Sequence, residues 1–127
     1  MNERLKQRIE QFHRAVTRLE EACAQPEDEF LRDATIQRFE FTFELAWKML
    51  MDRLWEEGIQ ANSPAQVLRQ SVAVELLEDG NRWTELHRMR NLTSHTYDED
   101  TARKVYRFIC EEGLPLFRAL DSKARQW

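Results

Sequence analysis

The chain has 127 residues, enough for one domain spanning 1–127 with one core, and its 42% hydrophobic and 33% charged residues argue for a folded chain. Three Gly and three Pro are too few for an all-β chain that turns every ~8–12 residues, so long helices are expected. A net charge of −4 gives no field that draws polyanions inward, and no stretch approaches the ~18 apolar residues of a membrane span.

The charged start, Met1-Asn2-Glu3-Arg4-Leu5-Lys6, leads into no apolar run, so a secretory signal is not expected and the location reads as cytoplasmic. Cys23 and Cys110 lie far apart without a CxxC spacing and read as buried reduced thiols. No two of His13, His87 and His95 are spaced i, i+4, and no metal site is expected.

The first helix is expected from about Asn2 to Ala24. Leu5, Ile9, Phe12, Val16, Leu19 and Cys23 make a narrow seam at spacings of four and three. His13 lies beside that seam and reads as a surface residue. Pro26 ends the helix.

The second helix is expected from about Asp28 to Glu57, with Gly58 as a left-handed cap. Ile36, Phe39, Phe43, Ala46, Trp47, Leu50 and Leu54 form its main apolar face. Phe41, Leu45 and Met49 form a second stripe, which calls for a further helix or a second subunit. Glu40, Glu44 and Lys48 line up between the faces. They read either as a charge ladder or as partners for a buried cation.

The third helix opens on Ser63 as N-cap, Pro64 in the first position and Gln66 completing a capping box, and ends near Leu77. Its buried side is Val67, Leu68, Val72, Leu76 and Leu77. The fourth runs from about Asn81 to Thr93 or Ser94. Trp83, Leu86, His87, Arg90 and Ser94 share a stripe, which puts Arg90 on or beside the packing face. A guanidinium there implies a carboxylate partner, a cleft or an interface. The fifth starts near Asp98 or Asp100, with Ala102, Val105, Tyr106 and Ile109 as its apolar side. A kink or break is expected at Gly113-Leu114-Pro115. The pattern then resumes at Leu116, Phe117 and Leu120, before a tail expected to fray. Five helices with short connections point to an all-α, up-down antiparallel bundle.

The chemistry concentrates in Arg90-Asn91-Leu92-Thr93-Ser94-His95-Thr96-Tyr97. Residues five apart on an α-helix diverge by about 140°, so Arg90 and His95 meet only if the helix ends between them or two copies come together. A His can move a proton near neutrality, and an Arg can hold a phosphate and stabilise charge on it. Together they suit metal-free RNA cleavage: His95 helps the ribose 2′-hydroxyl attack, Arg90 stabilises the crowded phosphate and Asn91 orients either group. The bland alternative makes His95 a helix cap, Arg90 an ion pair and Tyr97 a core plug. Residues 78–100 carry six acids against three arginines, which counts against general nucleic-acid binding.

Phe39-Glu40-Phe41-Thr42-Phe43-Glu44-Leu45-Ala46-Trp47-Lys48, with Gly58 ten residues on, resembles the signature of the nucleotidyltransferase substrate-binding-protein family of the HEPN superfamily of helical bundles. Residues 90–97 resemble the superfamily's Arg-x4-His-x-Tyr motif. The resemblance implies a homodimer whose motifs meet in one cleft, and binding to a minimal nucleotidyltransferase encoded nearby. It further implies a metal-independent RNase toxin acting on RNA, with Arg90 and His95 catalytic and Asn91 supporting. The nucleotidyltransferase antitoxin would transfer AMP from its substrate ATP to Tyr97. The chain itself would need no cofactor, and neither DNA nor a membrane is an expected partner. The other reading it allows is a non-catalytic nucleotide- or substrate-binding subunit of a two-component nucleotidyltransferase.

Overall fold

The structure, a computed structural model, describes residues 2–127. Its helices are α1 (Glu3–Cys23), α2 (Glu29–Glu56), α3 (Pro64–Ala73), α4 (Gly80–Leu92), α5 (Glu99–Phe108) and α6 (Leu114–Ala124). A 3₁₀ turn, Thr93–His95, prolongs α4, and a π-helical turn, Ile109–Gly113, joins α5 to α6. The last two helices and the π turn form one interrupted rod, so five rods make the expected all-α bundle.

Rods packed side by side run antiparallel where α1 meets α2 and α6, and where α4 meets the last rod. The Asn2 amide at the start of α1 donates to Glu56 Oε1 at the end of α2, 3.1 Å away. α6 runs back along α1, where Glu10 faces Arg125 and Glu20 faces Arg118. α4 runs against the last rod, with Arg82 near its start 3.5 Å from Glu112. Phe12, Phe39, Trp83 and Phe117, from four different rods, meet as rings in the core, with centroids about 6 Å apart.

Local chemistry sets the helix ends. The side chains of Asn2, Asp28, Ser63 and Asp98 each accept a backbone N–H three residues on, satisfying a donor the helix leaves open. Gln66 reaches back to the Asn62 amide at 3.1 Å, one residue earlier than the expected capping box. Gly58 adopts φ +80°, as its place after α2 requires.

Several expectations need correction. The kink or break expected at Gly113-Leu114-Pro115 takes the form of the π turn that ends at Gly113. A prolyl ring inside an α-helix collides with the carbonyl four residues back, and the widened turn absorbs it without stopping the rod. The tail does not fray: α6 reaches Ala124, and Trp127 lies under the Arg53 guanidinium at 5.4 Å. His13 is an interhelical residue, its Nδ1 2.9 Å from Asp121 Oδ2. Val72 is 39% exposed rather than buried, its side chain lying against Gly80. The second stripe of α2 divides: Met49 is fully buried, whereas Phe41 and Leu45 are only half-covered.

The cysteines are also corrected. Cys23 and Cys110 are half-buried and joined as a disulfide, with Cα atoms 5.6 Å apart. The last turn of α1 lies against the π turn, a neighbourhood that 87 positions of sequence separation conceal. A cross-link over so long a loop removes much of the unfolded chain's freedom. Reduction should therefore lower the unfolding free energy in urea by roughly 2–4 kcal/mol. The checks are urea melts with and without dithiothreitol, and alkylation mass shifts that appear only after reduction. Superimposable melts would show that the cross-link is not formed.

Candidate functional site

The end of α4 is built by hydroxyl groups. Thr93 Oγ1 donates to the Arg90 carbonyl at 2.7 Å, Ser94 Oγ to that of Asn91 at 3.1 Å and Thr96 Oγ1 to that of Thr93 at 3.0 Å. These groups take carbonyls that the next turn would otherwise use, so the chain tightens into the 3₁₀ turn and leaves the helix. The Asp98 amide then closes on the His95 carbonyl, and Asp98 caps α5.

Arg90 sits half-buried against α2. Its Nη1 lies 3.8 Å from Glu40 Oε2 and its Nη2 3.9 Å from Glu44 Oε1. Both acids therefore serve as partners for a cation on the packing face. At those distances the pairs are coulombic rather than hydrogen-bonded. Nη1 also donates to Thr93 Oγ1 at 3.2 Å, while Nε is buried with no hydrogen-bond partner among the described residues. Of five N–H donors, the guanidinium uses one group. Glu44 also pairs with Lys48 at 3.8 Å and accepts from Trp47 Nε1, so the charge ladder and the arginine site share one carboxylate.

His95 is exposed, and its ring makes no hydrogen bond to a described residue. Tyr97 is 88% exposed and meets it edge-on, with ring centroids 6.3 Å apart. Tyr97 is thus no core plug. Asn91 is exposed beside them. Within one chain Arg90 and His95 do not converge. Tightening the turn leaves His95 about 160° around the axis from Arg90, farther than the ~140° of a plain α-helix.

Two supports lie outside the motif, and the first escaped the sequence reading. Arg32, 8% exposed, bonds Glu27 at 2.9 Å and faces Glu99 at 3.5 Å, pinning the start of α5 and with it the turn that carries His95 and Tyr97. The signal was present: Arg32, Ile36, Phe39 and Phe43 continue the core stripe at spacings of four, three and four. Among the described residues no three His, Cys, Asp or Glu side chains gather closely enough to hold a metal ion.

The second support is His87, one turn before Arg90, which stacks on Phe43 at 5.4 Å with the rings 12° from parallel. Burial, and then the neighbouring Arg90 charge, hold its pKa below the usual 6.5, so it is neutral at pH 7. A lowered folded-state value means that the unfolded chain takes up the proton first. This contribution to stability is complete above pH ~6.5 and is lost as pH falls through the folded value. In an NMR titration the His87 ring should show a midpoint below 6.5, and Arg90→Ala should raise it by removing the nearby positive charge. A midpoint unmoved in Arg90→Ala would place the two groups out of electrostatic reach.

Comparisons with known proteins agree with this architecture. Over residues 7–126 the chain matches the family described as nucleotidyltransferase substrate binding protein like. It is 37% identical over 76 residues to a Haemophilus influenzae protein named probable ribonuclease HepT. That match covers 56% of this chain and spans about half (52%) of the relative's length. A crystal structure from Thermus thermophilus superposes with a TM-score of 0.77 at 35% identity, covering 91% of this chain and 96% of the other. A Haemophilus influenzae structure, described as revealing the fold of a substrate binding domain of a nucleotidyltransferase, superposes at 0.71 with 30% identity, covering 96% and 97%. With the Phe39–Lys48 signature on a helix and the match running through nearly every rod, the chain belongs to the nucleotidyltransferase substrate-binding-protein-like family.

Proposed function

We propose that this chain is the HEPN-type partner of a minimal nucleotidyltransferase and, as a homodimer, a metal-independent endoribonuclease. The observation that carries the reading is Arg90: a guanidinium fixed on a helix and paired only loosely, with most of its donors unused. Such a group is ready for an anion with several oxygens. The relative named a probable ribonuclease supports the same chemistry.

Pairing two chains is the second step. Arg90 and His95 of one chain face apart, so a shared site takes the Arg of one copy with the His of the other. His95 then withdraws the proton from a ribose 2′-hydroxyl as its oxygen attacks phosphorus, and the bond to the 5′-oxygen breaks, that oxygen taking a proton from water, giving a 2′,3′-cyclic phosphate and a 5′-hydroxyl. Arg90 stabilises the charge on the crowded phosphate, and Asn91 orients it. Control falls on Tyr97. Its hydroxyl attacks the α-phosphorus of ATP held by the partner, pyrophosphate leaves, and an AMP unit is fixed beside His95, blocking the cleft by bulk and charge.

The second reading, a subunit that presents a nucleotide or other substrate without cleaving RNA, is favoured by the two carboxylates beside Arg90. One set of measurements separates the two. In excess EDTA, purified protein should cleave RNA, and His95→Ala should slow cleavage by at least about 100-fold while remaining folded and dimeric. Equal rates from wild type and variant would sink the nuclease reading. After co-expression with the nucleotidyltransferase, intact mass should rise by whole AMP units, and Tyr97→Phe should show none.

A further inference from the structure

At the far end of α2 from Arg90 lies a second feature that this function does not use. The chain has four tryptophans, and three have structural duties. Trp83 packs edge-on against Phe117, Trp47 bonds Glu44 and Trp127 lies under Arg53. Trp55 stands on the last turn of α2, 60% exposed, and among the described residues its ring makes no hydrogen bond, ring contact or cation contact. A single exposed indole is ordinary on a protein surface; what marks this one is the cavity beside it.

Beside it opens a cavity of about 350 Å³, floored by Met51 and Ile59. That volume lies at the small end of the range for ligand sites, roughly 300–1,000 Å³. Asp52 lines the same cavity and is buried. Its Oδ2 accepts from Arg8 Nε at 3.0 Å and lies 3.4 Å from Arg4 Nε. No described residue donates to its Oδ1. The two arginines hold the carboxylate in place, so that remaining oxygen is a preorganised acceptor. Arg4 also lines the cavity, and its side chain is 67% exposed. Asn62 adds an amide at the rim.

A free ring face, a fixed carboxylate oxygen and an exposed guanidinium complement three groups that occur together on one class of molecule. We propose that this cavity binds an aminopurine nucleotide, with the base stacked on Trp55, the exocyclic amine donating to Asp52 and the phosphate at Arg4. Stacking on an aromatic side chain accepts any base, and the carboxylate selects one that carries an amine. The site is separate from the Arg90 site. Trp55 follows Glu44 by eleven positions along α2, about 16 Å of helix. Binding here depends neither on RNA cleavage nor on modification of Tyr97.

Calorimetric titration of the whole chain with AMP, followed in parallel by indole fluorescence, tests the proposal. Saturable binding with a Kd below about 1 mM is expected for the wild type and none for Trp55→Ala, with circular dichroism showing both equally helical. Purine riboside 5′-monophosphate, which lacks only the amine, should bind about tenfold or more weaker, as expected for losing a hydrogen bond to a charged group. Arg4→Ala should weaken AMP but leave adenosine unchanged. Arg90→Ala should bind AMP like the wild type. No saturable binding, equal binding by Trp55→Ala, or binding abolished in Arg90→Ala would each overturn the site. A failed RNA-cleavage assay would leave it untouched.

Discussion

Everything in this bundle rests on α2 being buried along most of its length. It packs against α1, α3, α4 and α5. Phe39, Phe43, Ala46, Met49, Leu50 and Leu54 are all within 1% of complete burial. Each large apolar side chain so placed contributes roughly 1.5–3 kcal/mol. The ion pairs around it are mostly half-exposed and worth roughly 0–1 kcal/mol each. Hydrophobic burial therefore holds the rods together, while the charges choose register: Arg8 on Asp52, Arg32 on Glu99, Arg90 between Glu40 and Glu44. One helix thus anchors the turn at its start, the arginine at its middle and the aromatic cavity at its end.

What separates Arg90 from His95 is a competition over backbone acceptors. Thr93, Ser94 and Thr96 offer hydroxyl donors to carbonyls at the helix end. The α4 spiral tightens and stops there, where apolar or long-chain residues would have carried it on. The same Thr93 hydroxyl that donates to the Arg90 carbonyl accepts from the Arg90 side chain. Helix termination and guanidinium placement are therefore one event. Thr93 is buried and makes both bonds, so its methyl and hydroxyl groups are each fixed by their surroundings.

Much of this was legible in the residues. Seams at spacings of four and three located α1 and α2, and Ser63 and Asp98 marked two helix starts. A lone arginine on an apolar stripe implied a carboxylate partner, a cleft or an interface, and two carboxylates stand beside it. What stayed hidden depends on pairings between distant segments. The Cys23–Cys110 link and the His13–Asp121 pair join α1 to the last rod, and no local pattern encodes which turn faces which. The π form of the turn stayed hidden for a related reason. Pro115 shows that a helix must yield, whereas the packing of Ile109, Gly113 and Leu114 into the core decides that it yields by widening. Trp127 looked like a polar tail's last residue because Arg53, its cation partner, is 74 positions away.

The count of acids over residues 78–100 does not by itself describe the surroundings of Arg90. Linear sequence puts six acids against three arginines there, which would repel a phosphate. In three dimensions most of those charges are already engaged. Glu85 bonds Arg88, which holds its carboxyl below the ordinary range. Asp98 is occupied at the start of α5 by the Thr101 hydroxyl and amide. Glu99 faces both Arg32 and Arg103. Glu78 and Asp79 line a cavity with Lys123, at the opposite end of α4 from Arg90. Immediately around Arg90 stand two carboxylates and, through Lys48, a second cation. The cluster is thus balanced, two carboxylates against two cations, which the linear count over residues 78–100 conceals because Glu40, Glu44 and Lys48 come from α2.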